Sequence, residues 1–282
     1  MSWDAANLSD AQAKFVEQRI GTPAVVADLS WGLVDTRVLL VRSREAEFII
    51  KAAGADNHHI HREITAHKGW TGPLLRDDRA GRLIAASSPL SVLILEYQPG
   101  HLVEGTPAES TVGVHEQAGG ALRLLHDQDA RIDEGYEDRA TRKAFSWLDK
   151  EHRIPRDTEA EIRRLLGRHP ARPALLVPTH GDWHPRNWLL DDGRLRVIDF
   201  GRFDFRPAAT DLCRLATQQW RDRPDLADAF VSGYGSDPRD YHSWAMDLLR
   251  EAIATAVWSF QVGDNTFEQQ GHRLLREALD RF

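Results

Sequence analysis

Three oxygen-bearing side chains that could bind a metal or move a proton follow one another in the second half of the chain: Asp182, Asn187 and Asp199. Apolar, β-branched runs flank the turn signal Asp191-Asp192-Gly193, which predicts two short paired strands between Asn187 and Asp199. Such a hairpin holds these two residues close together, and Asp182 lies on the loop that leads into its first strand. Amide and carboxylate oxygens placed together suit Mg²⁺, which keeps water and substrate phosphate in its shell. A third carboxylate off the metal can accept a proton from a hydroxyl.

These residues form two motifs, His180-Gly181-Asp182-Trp183-His184-Pro185-Arg186-Asn187 and Ile198-Asp199-Phe200-Gly201. The pattern resembles the aminoglycoside phosphotransferase and choline kinase-like family, small-molecule relatives of the protein kinases. The resemblance implies that Asp182 is the catalytic base and that Asn187 and Asp199 are the Mg²⁺ ligands. It also implies that Gly181 replaces the arginine of the protein-kinase His-Arg-Asp triplet and that His180 braces the loop. A chance Asp/Asn-rich turn is the alternative, but the spacing, the hairpin signal and the second motif agree with one another.

Two more polar side chains inside the first motif are candidates for contact with the transferred phosphoryl group. His184 stands where protein kinases place the lysine of their catalytic loop, so the resemblance implies a contact with the moving phosphoryl. A structural hydrogen bond is the alternative for this residue, and Arg186 is open to the same two interpretations. Trp183 and Trp188 are expected to pack beside the loop.

The segment before the motifs predicts an antiparallel sheet with accompanying helices. A first helix begins at Ser9, where Gln12 completes a capping box, and Gly21 ends it. A second helix is predicted at residues 57–70. Strands are predicted at residues 24–29, 36–41, 47–51, 82–87 and 91–97.

Beyond residue 98 the spacing of apolar residues changes from two to about 3.6, which predicts helices. One of them is expected to begin with Thr210 or Asp211 as its cap, and family resemblance implies that Asp211 supports the catalytic loop through hydrogen bonds. We therefore expect an α+β, bilobal protein kinase-like fold. Residues 1–97 would form a nucleotide-binding lobe of antiparallel sheet plus helix, and residues 98–282 a mainly helical catalytic and substrate-binding lobe. The other helices are predicted at residues 110–126, 139–152, 158–169, 226–233, 241–262 and 267–282.

The resemblance also implies which residues contact the nucleotide. Lys51 ends a strand and is similar to the family's lysine that contacts the α and β phosphates, and Glu63 in the next helix is expected to fix it by an ion pair. The loop at residues 29–35 corresponds to the one that covers the phosphates, where Ser30 adds a hydroxyl contact. Its single glycine, Gly32, departs from the protein-kinase Gly-x-Gly-x-x-Gly pattern, and an ordinary hairpin turn is the alternative.

The strand that ends at Glu96 and Tyr97 is expected to form the hinge between the lobes. The resemblance implies that backbone groups near these two residues pair with the nucleotide base. Because no side chain is required there, side chains do not identify the base. The expected donor is ATP, with GTP as a possible one.

Composition limits the classes of partner. The chain has 282 residues, a net charge of -7, 41% hydrophobic and 28% charged residues, which is ordinary for a globular enzyme. The chain lacks the long block of Lys and Arg residues that would indicate a nucleic-acid partner. No apolar run approaches the roughly 20 residues of a membrane span. Since the N-terminus also lacks the features of an export signal, we expect a cytoplasmic protein. The single cysteine, Cys213, excludes an internal disulfide and is expected to be a core thiol.

The predicted function is transfer of the γ-phosphoryl group of ATP or GTP to a hydroxyl of a small molecule. The family resemblance, together with the acidic balance that attracts cations, makes an aminoglycoside or another cationic antibiotic the leading acceptor, with a metabolic acceptor such as choline, homoserine or a sugar as the alternative. The candidates for binding a cationic acceptor are acidic side chains of the last helices: Asp237, Asp240, Asp247, Glu251, Asp264 and Glu268.

Two other functions compete with this prediction. A hydrolase could use His180-x-Asp182-x-His184 as a zinc cluster, but this leaves Asn187 and Lys51 unexplained. The second competing function is that of a nucleotide-binding regulator without catalysis. Against it, the catalytic base, the metal ligands and the lysine are all present. No second cluster of ligands completes a metal site around four other histidines, which are therefore interpreted as mainly surface imidazoles: His58, His59, His61 and His67.

Overall fold

The structure, a computed structural model, describes residues 3, 6–32, 35–240 and 242–282. Its N-terminal part is built on a five-stranded antiparallel sheet, and the remainder is mainly helical. The predicted α+β fold of two lobes is therefore confirmed, while the exact boundary at residues 97 and 98 stays a prediction.

The N-terminal part opens as the capping signal predicts. In helix α1 (Asp10–Ile20), the Ser9 hydroxyl accepts a hydrogen bond from the Gln12 amide, and the Gln12 side chain accepts one from the Ser9 amide. The strands that follow are paired in the order β1-β2-β3-β5-β4. Their bounds are β1 (Ala24–Asp28), β2 (Thr36–Ser43), β3 (Ala46–Ala53), β4 (Leu83–Ser87) and β5 (Val92–Glu96).

The register of this sheet decides which side chains share a face. Lys51 of β3 lies opposite Val38 of β2 and Leu93 of β5, so these three side chains point to the same side. Helix α2 (His58–Gly69) packs on that side through Ile60 and other apolar residues. The opposite face is buried against α1. Lys51 is thus a polar side chain within an otherwise apolar sheet surface.

Helices dominate the rest of the chain. Helices α4 and α8 are in direct backbone contact, because a Cβ at Gly119 or Gly233 would clash with a carbonyl oxygen of the other helix. The helices are α3 (Gly72–Arg76), α4 (Val112–His126), α5 (Tyr136–Leu148), α6 (Arg156–Arg168), α7 (Cys213–Thr217), α8 (Pro224–Tyr234), α9 (Trp244–Val262) and α10 (Asn265–Leu279).

Six short strands complete the structure as two small sheets. The predicted hairpin is confirmed: Trp188 pairs with Val197 and Asp191 with Arg194. As expected, Trp183 and Trp188 are buried in the largest apolar cluster. The strands are β6 (His101–Leu102), β7 (Arg131–Asp133), β8 (Ala174–Thr179), β9 (Trp188–Asp191), β10 (Arg194–Val197) and β11 (Asp204–Arg206).

Three sequence-based predictions of local structure need correction. The expected cap at Thr210 or Asp211 is wrong, because both lie inside a short 3-10 helix (Ala208–Leu212) and neither side chain caps α7. The helix predicted from residue 241 begins at Trp244, and Tyr241 lies outside the described residues. His67 is buried rather than on the surface, edge-on to Phe200 with ring centroids 5.2 Å apart. Burial lowers the pKa of His67 to about 3, so the imidazole is neutral.

Among the helices of the described residues, none combines the length and apolar character needed to cross a bilayer.

Asp247 of α9 is a buried carboxyl with an altered titration. Burial raises the pKa of Asp247 from 3.8 to about 7. The positive charge of Arg250, at a distance of 3.8 Å, lowers this pKa, and the negative charges of Glu137 and Asp240 raise it further. The folded state therefore holds the proton between about pH 4 and pH 7, where the unfolded chain releases it. Stability must then fall as pH rises through this window.

We expect Asp247→Asn to be more stable than the parent protein at pH 8, on the order of 2–4 kcal/mol, and little different at pH 4. Urea unfolding at both pH values measures this. Asp280→Asn, at an exposed position, is the matched control and should not change the pH profile. A variant whose stability runs parallel to the parent at every pH would show that Asp247 does not titrate in this range.

Candidate active site

The predicted ion pair between the strand lysine and the helix glutamate is present. Lys51 Nζ lies 2.8 and 2.9 Å from the two carboxylate oxygens of Glu63 and 3.1 Å from Asp199 Oδ1. Burial alone would lower the pKa of Lys51, but the charges of Asp199 and Glu63 raise it. Lys51 is therefore a fixed cation that links the N-terminal sheet to the second motif.

Asn187 and Asp199 are brought together by the hairpin, as the turn signal predicts. The Ile198 amide donates to the Asn187 carbonyl at 3.0 Å, which extends the ladder of β9 and β10 by one residue. The Asn187 side-chain nitrogen donates to the Asp182 carbonyl at 2.8 Å and to Asp182 Oδ2 at 3.2 Å. Together with the contact between Lys51 and Asp199, these bonds link all four predicted side chains in one continuous site.

Two oxygen atoms in this cleft are left for a metal. The Asn187 nitrogen is held by Asp182, which leaves its Oδ1 without a hydrogen bond in the described part of the chain. Asp199 has a φ of 64°, a left-handed conformation that Asp tolerates better than most residues. Its side chain is 51% exposed, and Lys51 and the Gly201 amide contact only its Oδ1. An amide oxygen and a carboxylate oxygen are the donor types that Mg²⁺ prefers, so the residues fit this ion.

His180 supports the loop and has no free nitrogen. Its Nε2 lies 3.1 Å from the Ile198 carbonyl and its Nδ1 3.3 Å from the Asp182 amide, and the side chain is fully buried. Burial lowers the pKa of His180, so the neutral ring donates at one nitrogen and accepts at the other. We assign His180 as a positioning residue. His180 is therefore not free to bind zinc as the hydrolase hypothesis requires. The described residues also contain no group of three His, Cys, Asp or Glu side chains arranged for a metal.

The Asp211 carboxylate holds the same loop from the other side. It accepts hydrogen bonds from the backbone amides of His180 at 2.8 Å and Gly181 at 2.6 Å, and it lies 3.0 Å from His126 Nε2. Burial would raise the pKa of Asp211, but His126, His180 and the Gly181 amide lower it. The supporting role that the resemblance implies for Asp211 thus agrees with its contacts.

We expect Asp211→Ala to destabilise the protein by about 3–5 kcal/mol, because it leaves buried donors without an acceptor. Urea unfolding at pH 7 measures this loss. Asp222→Ala removes a carboxylate whose side chain is 86% exposed and should change stability little. If the two variants unfolded at the same urea concentration, the network around Asp211 would not stabilise the fold.

Gly181 is required by the packing of the loop. Its φ is 81°, a conformation that glycine adopts without strain. A Cβ at this position would clash with the carbonyl oxygen of Arg202 and the guanidinium of Arg206. The arginine that protein kinases carry in this triplet therefore has no room here.

The candidate base, Asp182, is surrounded by positive charge. It is 6% exposed, its Oδ1 forms an ion pair with Arg214 Nη1, and its Oδ2 lies 3.6 Å from Arg186. Burial would raise the pKa of Asp182, but the charges of Arg214 and Arg202 and a contact with His184 hold it well below its usual range. Asp182 is therefore ionised and ready to accept a hydrogen bond.

His184 and Arg186 are both near this carboxylate. His184 Nε2 is buried, lies 3.5 Å from Asp182 Oδ1 and makes no hydrogen bond in the described part of the chain. The Arg186 side chain is 42% exposed and lies 5.3 Å from the centre of the Trp31 ring. Their contact with a phosphoryl group stays a prediction, which the absence of a hydrogen bond to His184 Nε2 within the described residues supports.

The predicted nucleotide contacts of the loop and hinge have structural partners of their own. The Ser30 hydroxyl accepts a hydrogen bond from the Val38 amide at 3.0 Å, and Leu33 and Val34 of the same loop lie outside the described residues. The amides of Glu96 and Tyr97 donate to the carbonyls of Arg82 and Glu47. A base contact at the hinge therefore relies on the carbonyl oxygens there, and all three assignments stay predictions.

Sequence reasoning missed two groups of residues in this cleft. Val38 shares the face of Lys51 and is half-buried, so it adds an apolar surface beside the lysine. Its position in alternation with Leu39 on β2 could have identified it. The charges of Arg202 and Arg214 act on Asp182. The spacing of these arginines in the sequence does not predict this, because the packing of separate elements brings them near the carboxylate.

Comparisons with known proteins give a family and a fold. Residues 43–246 match the phosphotransferase enzyme family (APH). The fold is similar to that of choline kinase LicA from Streptococcus pneumoniae, with a TM-score of 0.71 and 14% identity over 95% of this chain and 99% of that chain. No curated protein matches the chain in sequence.

Two further solved structures are similar. One is a thermostable mutant of aminoglycoside phosphotransferase APH(4)-Ia in a ternary complex with ADP and hygromycin B, with a TM-score of 0.69 and 15% identity over 95% of this chain and 98% of that chain. The other is macrolide 2'-phosphotransferase MphH from Brachybacterium faecium, with a TM-score of 0.57 and 15% identity over 94% and 97% of the two chains. At these identities the similarity shows a shared fold.

Proposed function

Because this chain belongs to the phosphotransferase enzyme family, we propose that it transfers the γ-phosphoryl group of ATP to a hydroxyl of a small molecule. GTP is the second candidate donor. The observation that carries the proposal is the chain of contacts that links Lys51, Asp182, Asn187 and Asp199 in one site. Since nucleoside triphosphates are intracellular, we propose that the reaction takes place in the cytoplasm.

The nucleotide end of the cleft is built to bind phosphate. Glu63 holds Lys51 by two hydrogen bonds, so this cation is fixed before the nucleotide arrives. Asn187 and Asp199 would hold Mg²⁺, which neutralises phosphate charge when bound. Phosphoryl transfer has a loose transition state with charge on the phosphoryl oxygens, so alignment and positive charge supply most of the catalysis.

Asp182 acts at the acceptor end. Its carboxylate accepts a hydrogen bond from the acceptor hydroxyl and directs the oxygen at the γ phosphorus. As the new O–P bond forms and the bond to the leaving ADP oxygen breaks, the proton moves to Asp182. Because the pKa of Asp182 is held low, the transfer comes late, when the hydroxyl oxygen is already losing electron density to phosphorus. Orientation is therefore its main contribution.

The hydroxyl is the one acceptor feature that this mechanism requires. Aminoglycosides, choline, homoserine and sugars all have one, and the similar structures include kinases of choline and of an aminoglycoside. The charge of the acceptor is a separate property, which depends on the side chains around Asp182.

A nucleotide-consumption screen tests the proposal. Purified protein is incubated with Mg²⁺, ATP or GTP and a panel of hydroxylated small molecules, and hits are analysed by mass spectrometry. We expect at least one compound to gain the mass of one phosphoryl group. Tight nucleotide binding with neither transfer nor nucleotide hydrolysis would instead favour a regulator without catalysis.

A further inference from the structure

The cleft beside Asp182 is rich in cations although the whole chain carries a net charge of -7. Arg214 of α7 bridges two carboxylates: it pairs with Asp182 Oδ1, and its Nε lies 2.8 Å from Glu251 of α9. Burial would lower the pKa of Arg214, but Asp182 and Glu251 raise it. Arg214 therefore already balances the negative charge of Asp182, without any other cation.

Arg202 is an additional cation with no partner. Its backbone packs against Gly181, and its guanidinium forms neither a hydrogen bond nor an ion pair within residues 3, 6–32, 35–240 and 242–282. The charge of Arg214 and burial lower the pKa of Arg202, which Asp182 and Glu251 partly offset. A half-buried, unpaired guanidinium is costly unless an anion joins it, and five N–H donors in a planar fork suit a carboxylate or a phosphate.

Two more elements add positive charge to the same place. Arg62 of α2 and Arg206 of β11 share one carboxylate, Asp204, at 3.4 and 3.8 Å. Lys143 of α5 has no ion pair in the described part of the chain. Partial burial of its side chain and the charges of Arg206, Arg62 and Arg202 lower the pKa of Lys143. We name these side chains the cationic cluster: Arg62, Lys143, Arg186, Arg202, Arg206 and Arg214.

The cationic cluster has six positive charges, and within the described residues three carboxylates pair with it: Asp182, Asp204 and Glu251. A positively charged acceptor would have to enter against this excess of positive charge.

The acidic residues predicted to bind such an acceptor are buried or have partners within the protein. Asp247 and Glu268 are buried, Glu251 pairs with Arg214, Asp237 pairs with Arg239, Asp264 caps α10, and Asp240 accepts from the backbone amides of residues 242 and 243.

We propose that the acceptor is a hydroxylated small molecule with a carboxylate or phosphate group, and that Arg202 and Lys143 bind this oxyanion while the hydroxyl meets Asp182. The inference rests on the proposed function and specifies its substrate class. The nucleotide does not need these cations, because its phosphates meet Lys51 and the metal ligands. Arg202 instead lies beside Gly181 of the catalytic loop, and its carbonyl accepts a hydrogen bond from Arg206 Nη2 at 2.9 Å. The charges of Arg214 and Glu251 act on Arg202, and that of Arg62 acts on Lys143.

The test uses four compounds with one carbon skeleton: glucose, glucosamine, gluconate and glucose 6-phosphate. Each is titrated by calorimetry into protein saturated with Mg²⁺ and a non-hydrolysable ATP analogue, so that the nucleotide occupies the Lys51 end. We expect at least one of the two anionic compounds to bind about tenfold or more tightly than glucose and glucosamine. Comparison of gluconate with glucose 6-phosphate distinguishes a carboxylate site from a phosphate site. Equal or tighter binding of glucosamine overturns the proposal, as does no binding of either anion.

Variants locate the oxyanion site. Arg202→Gln should weaken binding of the preferred anion about ten- to a hundredfold, the loss of one charged hydrogen-bonding group, and change affinity for the ATP analogue less than twofold. Lys143→Gln, at a surface position of a helix, should weaken anion binding in the same direction. Arg142→Gln removes an equally exposed charge one residue away and is the matched control. A loss of nucleotide affinity in Arg202→Gln, with anion binding unchanged, would assign Arg202 to the nucleotide and refute the proposal.

Failure of the proposed function has a different signature. In that case the ATP analogue does not bind and no compound stimulates ATP consumption. Titration of the four compounds into nucleotide-free protein then still reports whether the cationic cluster prefers an anion. Transfer to glucose or glucosamine but to neither anion would support the phosphotransferase and overturn only the substrate class.

Discussion

Replacement of Asp182 by asparagine is expected to lower the rate of phosphoryl transfer by about 10²–10⁴-fold, the usual contribution of a positioned proton acceptor. Asparagine has the shape of aspartate and can keep the hydrogen bond from Asn187, but it cannot take the proton. Affinity for the nucleotide should stay within about twofold, because Asp182 contacts neither Lys51 nor Asp199. Single-turnover transfer to a hit from the screen measures the rate, and a fluorescent nucleotide measures the affinity.

The hairpin turn offers a matched control for this variant. Asp192 is exposed and has a φ of 45°, which asparagine also adopts readily. Asp192→Asn should therefore leave both the rate and the affinity unchanged. If Asp182→Asn kept more than a tenth of the parent rate, Asp182 would not be the residue that orients and deprotonates the acceptor.

Replacement of Asp199 by asparagine is expected to act at the binding step. It removes the charge that meets Lys51 at 3.1 Å and weakens the proposed Mg²⁺ site. Affinity for Mg-ATP should fall about ten- to a hundredfold, the loss expected for one charged contact. Calorimetry with Mg-ATP measures the change, and the transfer rate falls with it.

Metal removal separates the Asp199 effect from a general loss of folding. With the parent protein, a chelator should weaken ATP binding to the level of the Asp199→Asn variant. With the variant, the same chelator should have little further effect, because the metal contribution is already lost. Equal, mild effects of the Asp182 and Asp199 substitutions on both rate and affinity would contradict the two assigned roles.

Much of the cleft was predictable because its parts are specified locally. The turn at Asp191, Asp192 and Gly193 sets the register that brings Asn187 beside Asp199. Strand alternation and helical periodicity likewise predicted the elements that carry Lys51 and Glu63, and the resemblance supplied their ion pair. Such features depend on a few neighbouring residues, and hydrogen-bond geometry then leaves little freedom.

Burial of polar residues was less accessible to sequence reasoning. His67 looked like one of several surface histidines, yet it packs against Phe200, a residue far away in the chain. Asp211 was expected as a possible helix cap and, from the resemblance, as a support of the catalytic loop. Its contacts with the amides of His180 and Gly181 agree with the second role, whereas its side chain caps no helix. Which face of a helix or turn meets another element is a property of the packed chain.

By itself, the sequence determined the family resemblance, the two motifs and the chemistry that they can perform. Tertiary structure alone decided the charge around the acceptor. The net charge of -7 counts every residue equally, whereas charges separated by more than a Debye length, about 8–10 Å in physiological salt, are largely screened from one another. An acceptor therefore meets the local set of charges, which includes Arg202, Lys143 and Arg214. Packing brings these side chains together from three separate segments and forms a positive site within an acidic protein.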